Sequence, residues 1–307
     1  MTAPLVIAMP SNEAMAEAIA REIAADLGQI EVHSFPDGET YLRFLTIVSG
    51  RNLALVCTLD RPNEKILPLL FAAATARELG AAHVGLVAPY LAYMRQDRRF
   101  KPGEAVTSRQ VGRFLSDAFD WLVTVDPHLH RYGSLADIYR IPTRVVHAAP
   151  LMSQWINQNV SNPLIVGPDS ESEQWVSAVA KDAGAPYRVL EKIRHGDRNI
   201  EISFRALHDL TKRTPVLVDD IISSGRTMIE ALRLLKARGA KSPVCVAVHG
   251  VFADQSDEVV AHAGAHLVTS NSIPHESNGI DVTEPLANSM KELLSSPSEN
   301  SILKTYR

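Results

Sequence analysis

Residues 216–227 read Val-Leu-Val-Asp-Asp-Ile-Ile-Ser-Ser-Gly-Arg-Thr, and this stretch decides the fold of the region around it. The apolar run Pro215–Val218 predicts a buried strand, and Asp219 and Asp220 follow at the point where that strand should emerge. A short loop of small and hydroxyl residues comes next, and an apolar pattern with helical spacing begins directly after it. The stretch therefore predicts a strand, a loop and a helix in succession.

The loop of this unit, Ser223–Thr227, has the chemistry of a phosphate site. Such a loop points its backbone N–H groups at one spot, and the start of the following helix adds its positive dipole there. The adjacent carboxylates of Asp219 and Asp220 suit the hydroxyls of a sugar, with or without a divalent cation. An ordinary helix cap would explain the loop hydroxyls, but it leaves two like charges side by side. The stretch therefore predicts a cradle for a phosphorylated sugar.

Composition excludes several classes of protein. The chain has 307 residues, which is enough for two domains of ordinary size, and its 46% hydrophobic and 21% charged residues are typical of a soluble globular protein. A net charge of −4 provides no global basic field for nucleic acid, and no apolar run reaches membrane-spanning length. We therefore expect no nucleic-acid partner and no membrane partner.

The N-terminal residues and the cysteines indicate the compartment. No export signal is visible at the N-terminus, and Cys57 and Cys245 each lie in an apolar, strand-like run. Buried thiols of this kind are usual in a reducing compartment, and no cysteine–histidine spacing indicates zinc. We expect a cytoplasmic protein.

Strand-like and helical patterns alternate along the whole chain, which predicts an α/β protein with mainly parallel sheets. The boundary near Ala148–Pro150 predicts two doubly wound domains, residues 1–148 and residues 149–307, with the last helix able to pack back on the first domain. In such sheets ligands bind at the carboxyl ends of the strands. In addition to Pro215–Val218, the predicted strands are Leu5–Met9, Ile30–Ser34, Asn52–Thr58, Val84–Ala88, Trp121–Val125, Thr143–His147, Leu164–Gly167, Tyr187–Lys192 and Val244–Val251. The predicted helices include Asn12–Leu27, Ile66–Leu79, Thr107–Ala118 and Glu173–Ala183.

Two segments in the first half carry aromatic or charged residues in predicted loops. Residues 35–39 read Phe-Pro-Asp-Gly-Glu, which taken alone is an ordinary turn. Four cations lie between Arg95 and Lys101, directly after the predicted strand Val84–Ala88. A solvated loop usually explains such a cluster, but an arginine at a strand end can also stack on a base and pair with phosphate.

Single candidates follow two further strands. His128 comes just after Trp121–Val125, where a histidine can bind a metal-bound phosphate, although taken alone it is better explained as a surface histidine in a turn. Asp169 follows Leu164–Gly167 as a candidate cation ligand, and a helix cap involving Ser170 and Ser172 is the alternative.

Lys192 and Arg194 form the last candidate pair. They lie two residues apart at a strand end, so both can face the same side. The charged segment Arg194–Asn199 predicts a flexible loop, and a mobile loop with two cations suits a site of phosphoryl transfer that must close. A solvent-exposed basic loop is the alternative.

Taken together, and in the same order along the chain, these motifs resemble those of the ribose-phosphate diphosphokinase family, which makes phosphoribosyl diphosphate (PRPP) and has the type I phosphoribosyltransferase fold. The resemblance extends from residue 5 to about residue 294. It implies an enzyme of nucleotide biosynthesis that transfers diphosphate from ATP to the 1-hydroxyl of ribose 5-phosphate, with Mg²⁺ as cofactor and AMP as second product. The family's shared ATP site further implies at least a homodimer.

The resemblance also implies a role for each candidate residue. The ATP-binding residues would be Phe35, Asp37, Glu39, Arg95, Gln96 and His128. The ribose 5-phosphate-binding residues would be Asp219, Asp220, Ser223, Ser224, Gly225, Arg226 and Thr227. The catalytic residues would be Lys192 and Arg194, and the metal ligands would be His128 and Asp169. Asp97 and Arg98 would support the ATP loop through ion pairing.

Three departures from the family pattern leave alternatives open. Pro127 replaces a leucine, Ser170–Ser172 replaces small residues that are often glycines, and Arg226 replaces a glycine. The first alternative is a phosphoribosyltransferase that consumes PRPP, and the second is a non-catalytic regulatory subunit resembling a PRPP synthase. A third alternative is the same reaction on another pentose phosphate.

Overall fold

The computed structural model describes residues 3–129, 131–195, 199–203 and 212–295, which form two compact units. The first unit contains the chain up to Val146 together with the helix Thr283–Ser295, and the second runs from His147 to Val282. By this division the chain leaves the first unit once and returns to it for its last helix.

The first unit alternates strands and helices. Its elements in chain order are β1 (Leu5–Ala8), α1 (Glu13–Ile23), β2 (Asp26–Gly28), β3 (Ile30–Ser34), β4 (Thr40–Phe44), β5 (Asn52–Val56), α2 (Pro62–Glu78), β6 (His83–Ala88), α3 (Thr107–Ala118), β7 (Trp121–Val125) and β8 (Thr143–Val146). A parallel sheet has the strand order β2-β1-β5-β6-β7-β8, and β3 and β4 pair as a separate antiparallel hairpin.

The second unit repeats this plan. Its elements are α4 (Ala149–Asn159), β9 (Pro163–Gly167), α5 (Glu173–Ala183), β10 (Tyr187–Val189), β11 (Glu191–His195), β12 (Asn199–Ser203), β13 (Thr214–Ile222), α6 (Arg226–Ala237), β14 (Val244–Gly250), α7 (Ser256–His262), β15 (His266–Ser270) and β16 (Asn278–Ile280), and α8 (Thr283–Ser295) then completes the first unit. The parallel sheet has the order β10-β9-β13-β14-β15-β16, and β11 and β12 form an antiparallel hairpin.

Both sheets have the same doubly wound topology. In each sheet the second strand of the chain lies on one side of the first, and every later strand of the sheet lies on the other side. The strand order therefore reverses between β1 and β5 in the first unit and between β9 and β13 in the second. The prediction of two similar doubly wound domains with mainly parallel sheets is confirmed.

The core of the second unit explains why β13 is central. Val216, Leu217 and Val218 are fully buried, as expected for a parallel strand that is covered on both faces. The helix α6 presents Leu232 and Leu235 to the same apolar cluster. The continuous apolar run in the sequence therefore reports burial on both faces of the sheet rather than on one.

Several predicted boundaries are wrong, and the strand predicted over Tyr187–Lys192 is divided between β10 of the parallel sheet and β11 of the hairpin. The helix predicted over Asn12–Leu27 ends at Ile23, because Ala24 takes a left-handed conformation (φ 52°) and Asp26–Gly28 pairs with β1 as an edge strand. The strand predicted over Pro215–Val218 continues to Ile222, because its pairing with β14 continues that far.

The loop predicted over Arg194–Asn199 is also wrong at both of its ends. Arg194 lies in β11 opposite Ile200, and His195 is paired with Asn199 in β12. Residues 196–198 lie outside the described residues. The predicted cationic loop is thus part of a hairpin where the structure describes it.

Candidate functional site

The carboxyl edge of the second sheet is open at the point where the strand order reverses. β13 pairs with β9 only as far as Leu217 opposite Val166, whereas it pairs with β14 as far as Ile222 opposite Gly250. The last part of β13 therefore extends beyond its pairing with β9. Asp219 lies on this extension, at the position where ligands of doubly wound folds bind.

Three carboxylates meet at this edge of the sheet: Asp169, Asp219 and Asp220. Burial raises the pKa of Asp219 well above its usual range, and the negative charges of Asp220 and Asp169 raise it further. The Asp220 N–H donates to Asp219 Oδ1 at 3.0 Å, which opposes part of this rise. The site therefore favours a ligand that brings positive charge or hydrogen-bond donors to the carboxylates.

The turn after β9 orients Asp169. The carbonyl of Asp169 accepts hydrogen bonds from the Ser172 N–H at 3.2 Å and from the Ser172 hydroxyl at 2.6 Å. Ser172 is the N-cap residue of α5, but its hydroxyl makes this bond instead of capping the helix. A Cβ on Gly167 would lie 2.6 Å from Ser172 Oγ, so this compact turn requires glycine there. The alternative of a simple serine helix cap after β9 is therefore wrong.

The loop between β13 and α6 is held by hydrogen bonds from the segment between β14 and α7 and from the first residue of α7. The carbonyl of Ser223 accepts hydrogen bonds from the Ala253 N–H at 3.1 Å and from the Ser256 hydroxyl at 2.6 Å. Gly225 has φ +66°, and a Cβ added to it would lie 3.0 Å from Ser256 Cβ. This position therefore favours glycine for both its conformation and its space.

The first turn of α6 presents its amides at the same loop. The first bond that enters the helix joins the Ile229 N–H to the Gly225 carbonyl at 2.8 Å. The amides of Arg226, Thr227 and Met228 precede that bond, as the first amides of any α-helix do. The predicted sugar-phosphate residues therefore lie on one strand end, one loop and one helix start, which is an arrangement that can bind a phosphate.

In the first unit, the turn between β3 and β4 carries three of the predicted ATP residues: Phe35, Asp37 and Glu39. The Phe35 N–H donates to the Glu39 carbonyl at 2.7 Å, and the Glu39 N–H donates to Asp37 Oδ1 at 3.1 Å. The Phe35 side chain is 46% exposed, and its ring meets the Tyr41 ring edge-on at 6.2 Å. The structure thus brings these residues together on one exposed turn with an aromatic face.

Interactions with residues near and far along the chain hold the cationic segment after β6. Asp97 is buried and pairs with Arg131 Nη1 at 2.9 Å and 3.0 Å, whereas Arg98 lies over the Phe100 ring at 4.7 Å. The prediction that Asp97 supports this segment through ion pairing is therefore confirmed, with Arg131 as its partner, whereas the contact described for Arg98 is with an aromatic ring. Gln96 accepts a hydrogen bond from the Thr107 hydroxyl at 3.0 Å, which ties the segment to the start of α3.

Sequence reasoning missed Arg131 and Tyr132 as supports of this segment. The Tyr132 hydroxyl donates to the Asp97 carbonyl at 3.0 Å and also contacts the Ser108 hydroxyl at 3.1 Å. The partners are far apart along the chain, so no local spacing reveals the pairing. The available signal was an unexplained arginine close behind the His128 motif.

His128 and the Lys192–Arg194 pair lie at different places in the fold. His128 is half-buried and follows β7, where Asp126 has a φ of 28° that few non-glycine residues adopt. Lys192 and Arg194 lie in β11, opposite Ile202 and Ile200 of β12. Their roles remain predictions.

Comparison with known proteins identifies the family. A family model described as the N-terminal domain of ribose phosphate pyrophosphokinase matches residues 5–118, and one described as a phosphoribosyl transferase domain matches residues 134–285. The ribose-phosphate pyrophosphokinase of Methanopyrus kandleri is 32% identical over 94% of this chain and 99% of its own length. That of Saccharolobus solfataricus is 31% identical over 93% of this chain and all of its own length. The chain belongs to the ribose-phosphate pyrophosphokinase family.

The fold comparison agrees with membership of this family. The crystal structure of phosphoribosylpyrophosphate synthetase from Mycobacterium smegmatis covers 95% of this chain and 99% of its own, with a TM-score of 0.82 at 23% identity. This likeness shows the fold, whereas the curated relatives confirm the predicted family and the predicted class of enzyme, a ribose-phosphate diphosphokinase. Among the described residues, no helix is both long enough and apolar enough to cross a membrane.

Proposed function

We propose that this protein transfers diphosphate from ATP to the 1-hydroxyl of ribose 5-phosphate and so produces PRPP and AMP with the help of Mg²⁺. The observation that carries the proposal is the meeting of Asp169, Asp219 and Asp220 beside the first turn of α6. Membership of the pyrophosphokinase family supports ribose 5-phosphate as the substrate of this site and PRPP synthesis as its reaction.

The loop and strand end would hold ribose 5-phosphate from two sides. The 5-phosphate would accept hydrogen bonds from the loop amides and from the hydroxyls of Ser223, Ser224 and Thr227, where the dipole of α6 favours negative charge. Asp219 and Asp220 would accept hydrogen bonds from the 2- and 3-hydroxyls of the ribose. Held at both ends, the sugar presents its 1-hydroxyl in one orientation, which can remove up to ~7–11 kcal/mol from a bimolecular barrier.

The nucleotide would bind to the first unit. Phe35 has an exposed ring that can stack on adenine, and Asp37 and Glu39 offer acceptors for its amino group. Arg95 is exposed and can pair with phosphate oxygens, and Gln96 lies next to it on the same segment. This division of labour assigns one substrate to each unit.

The carboxylates of the second unit fit a divalent cation. Burial raises the pKa of Asp219, the negative charges of Asp220 and Asp169 raise it further, and a cation beside Asp169 would offset the repulsion between the charges. By the family resemblance, Asp169 would be a ligand of this cation, and His128, in the first unit, would contact the cation–ATP complex. When bound, Mg²⁺ would neutralise charge on the triphosphate, because phosphoryl-type transfer depends on positioning and charge compensation.

Lys192 and Arg194 complete the proposed site. Their positions on β11 are two residues apart in a hairpin that is separate from the main sheet. We assign them to the transferring group and to AMP as it leaves, where cations stabilise developing charge. The family resemblance further supports at least a homodimer and a cytoplasmic location.

An assay of AMP formation tests the proposal. Purified protein is incubated with ATP and one of several pentose phosphates, each with and without Mg²⁺. AMP that appears only with both Mg²⁺ and ribose 5-phosphate is the expected result. Binding of PRPP without AMP formation would instead favour a non-catalytic subunit, and AMP with a different pentose phosphate would change the assigned acceptor.

A further inference from the structure

The loop Ser223–Thr227, called the phosphate loop below, is hydrogen-bonded to a short segment with an unusual backbone. Between β14 and α7, Phe252, Asp254 and Gln255 have φ angles of 46°, 55° and 57°. Non-glycine residues rarely adopt this left-handed conformation, which costs free energy unless surrounding contacts impose it. The question is which contacts hold this segment.

His275 contacts Phe252 in the segment and Asp257 in the helix that follows it. Its ring lies 4.4 Å from the Phe252 ring, and its Nε2 lies 3.2 Å from Asp257 Oδ2 in the first turn of α7. On the other side, Phe252 packs so closely on Gly250 that a Cβ there would lie 2.3 Å from the ring. Phe252 is thus held between Gly250 and His275.

The hydrogen bonds of His275 define its protonation. The Ser277 N–H donates to Nδ1 at 3.1 Å, so Nδ1 is an acceptor and the ring proton is assigned to Nε2, which faces Asp257. Glu276 lies close enough to make these side chains resemble a metal site. A cation on Nε2 would require the proton on Nδ1, where it would meet the Ser277 N–H. The geometry therefore favours a hydrogen-bonded support over a metal site.

The segment that His275 supports is hydrogen-bonded to the phosphate loop. The two groups that bond the Ser223 carbonyl, the Ala253 N–H and the Ser256 hydroxyl, belong to the segment and to the residue directly after it. Ser256 also lies against Gly225. A shift of this segment would therefore move the loop whose amides are assigned to the 5-phosphate.

We propose that His275 is a positioning residue for the phosphate loop. By holding Phe252 and Asp257 together, it keeps the segment in the conformation that supports Ser223 and so sets the affinity for ribose 5-phosphate. The inference about ribose 5-phosphate affinity rests on the proposed function, whereas the inference about the conformation of the loop does not.

The test uses His275→Ala with His262→Ala as its matched control. His262 is an exposed histidine on α7 whose Nδ1 contacts the Glu258 carbonyl within the same helix, so it does not reach the loop. Hydrogen–deuterium exchange of residues 223–228 is measured without ligand, and ribose 5-phosphate and ATP binding are measured by calorimetry. We expect faster exchange and an approximately tenfold weaker ribose 5-phosphate affinity, about 1.4 kcal/mol, in His275→Ala alone, with ATP affinity unchanged.

Two results would overturn the inference: exchange of the loop in His275→Ala equal to that of wild type, or equal loss of ATP and ribose 5-phosphate affinity. His275→Gln keeps a donor near the Nε2 position but lacks the ring, so it should recover part of the loop protection even if the alanine variant unfolds. Failure of wild type to bind ribose 5-phosphate would reject the proposed function, while the exchange comparison would still decide whether His275 positions the loop.

Discussion

At the scale of single residues, the site depends on charges that are unfavourable without a ligand. Burial makes the ionisation of Asp219 unfavourable, and the nearby negative charges of Asp220 and Asp169 make it more so. A ligand or a cation that binds to such carboxylates offsets the repulsion between them. The arrangement therefore makes substrate binding sensitive to the loss of any one carboxylate.

The variant Asp220→Asn tests the role of the pair in sugar binding. We expect ribose 5-phosphate affinity to fall by ~10–150-fold, the value of one hydrogen bond to a charged group, with ATP affinity unchanged. Calorimetry of each substrate alone measures both quantities. Glu230→Gln, a change at an exposed position of α6, is the control, and unchanged sugar binding in Asp220→Asn would remove the residue from the site.

The buried thiol of Cys57 gives a prediction about pH. Burial raises its pKa from 9.0 to about 12, and burial raises the pKa of Cys245 as well. The folded protein therefore resists ionising this thiol, so its contribution to stability is complete below the unfolded pKa and is lost as the pH rises towards the folded one.

Urea unfolding at increasing pH measures this effect. The unfolding free energy of wild type should fall from pH 9 upward, and the Cys57→Ala variant should show a smaller fall over the same range. The native protein should also react with a thiol reagent far more slowly than the unfolded protein does. Equal pH dependence in wild type and variant would contradict the assignment to Cys57.

At the scale of elements, the sheets were predictable where burial imposed an apolar pattern, and less so where tertiary contacts decided. The run around Val216 predicted β13, but the extension to Ile222 depends on β14, which no local pattern announces. The edge strand Asp26–Gly28 read as the end of a helix, because only its pairing with β1 makes it a strand.

The candidate site was predictable to a similar degree. The sequence brought out the residues at strand ends, because ligands bind there in parallel sheets. It did not reveal Arg131 as the partner of Asp97 or His275 as the support of Phe252, because both depend on contacts between distant parts of the chain. Local sequence thus predicts the groups that face a ligand better than the groups that hold them.

The pairing of β6 with β7 gives a prediction at the same scale. Gly85 lies opposite Trp121, and a Cβ on it would lie 1.9 Å from the indole ring. Gly85→Ala should therefore lower the unfolding free energy by about 1–3 kcal/mol or more through overpacking. Thermal or urea unfolding measures it, with Gly133→Ala as control because its nearest neighbour would be an ordinary 3.6 Å away. Equal stability of the two variants would show that the sheet adjusts freely.

At the scale of the whole molecule, the two units share one sheet topology but carry different residues at the point where the strand order reverses. In the second unit the reversal point between β9 and β13 carries the carboxylates, but in the first unit Asn12 lies at the corresponding point between β1 and β5. Its Oδ1 accepts from the Thr58 N–H at 2.7 Å, and its Nδ2 donates to the Pro10 carbonyl at 2.9 Å. The side chain of Asn12 thus joins the two strand ends that a ligand would otherwise separate.

This difference predicts the binding stoichiometry. Because only the second unit has the carboxylates and the phosphate loop among the described residues, each chain should bind one ribose 5-phosphate. Titration calorimetry of wild type measures the number of sites directly. Two equivalent sites per chain would mean that the first unit also accepts the sugar phosphate.

The central claim is that a diphosphate moves as one group from ATP to the sugar, and ATP labelled at its β-phosphorus tests it most directly. After incubation with ribose 5-phosphate and Mg²⁺, the label should appear in PRPP, and the AMP formed should carry none. Appearance of the label in ADP would contradict the account. Label that stays in unreacted ATP although ribose 5-phosphate is bound would contradict it as well.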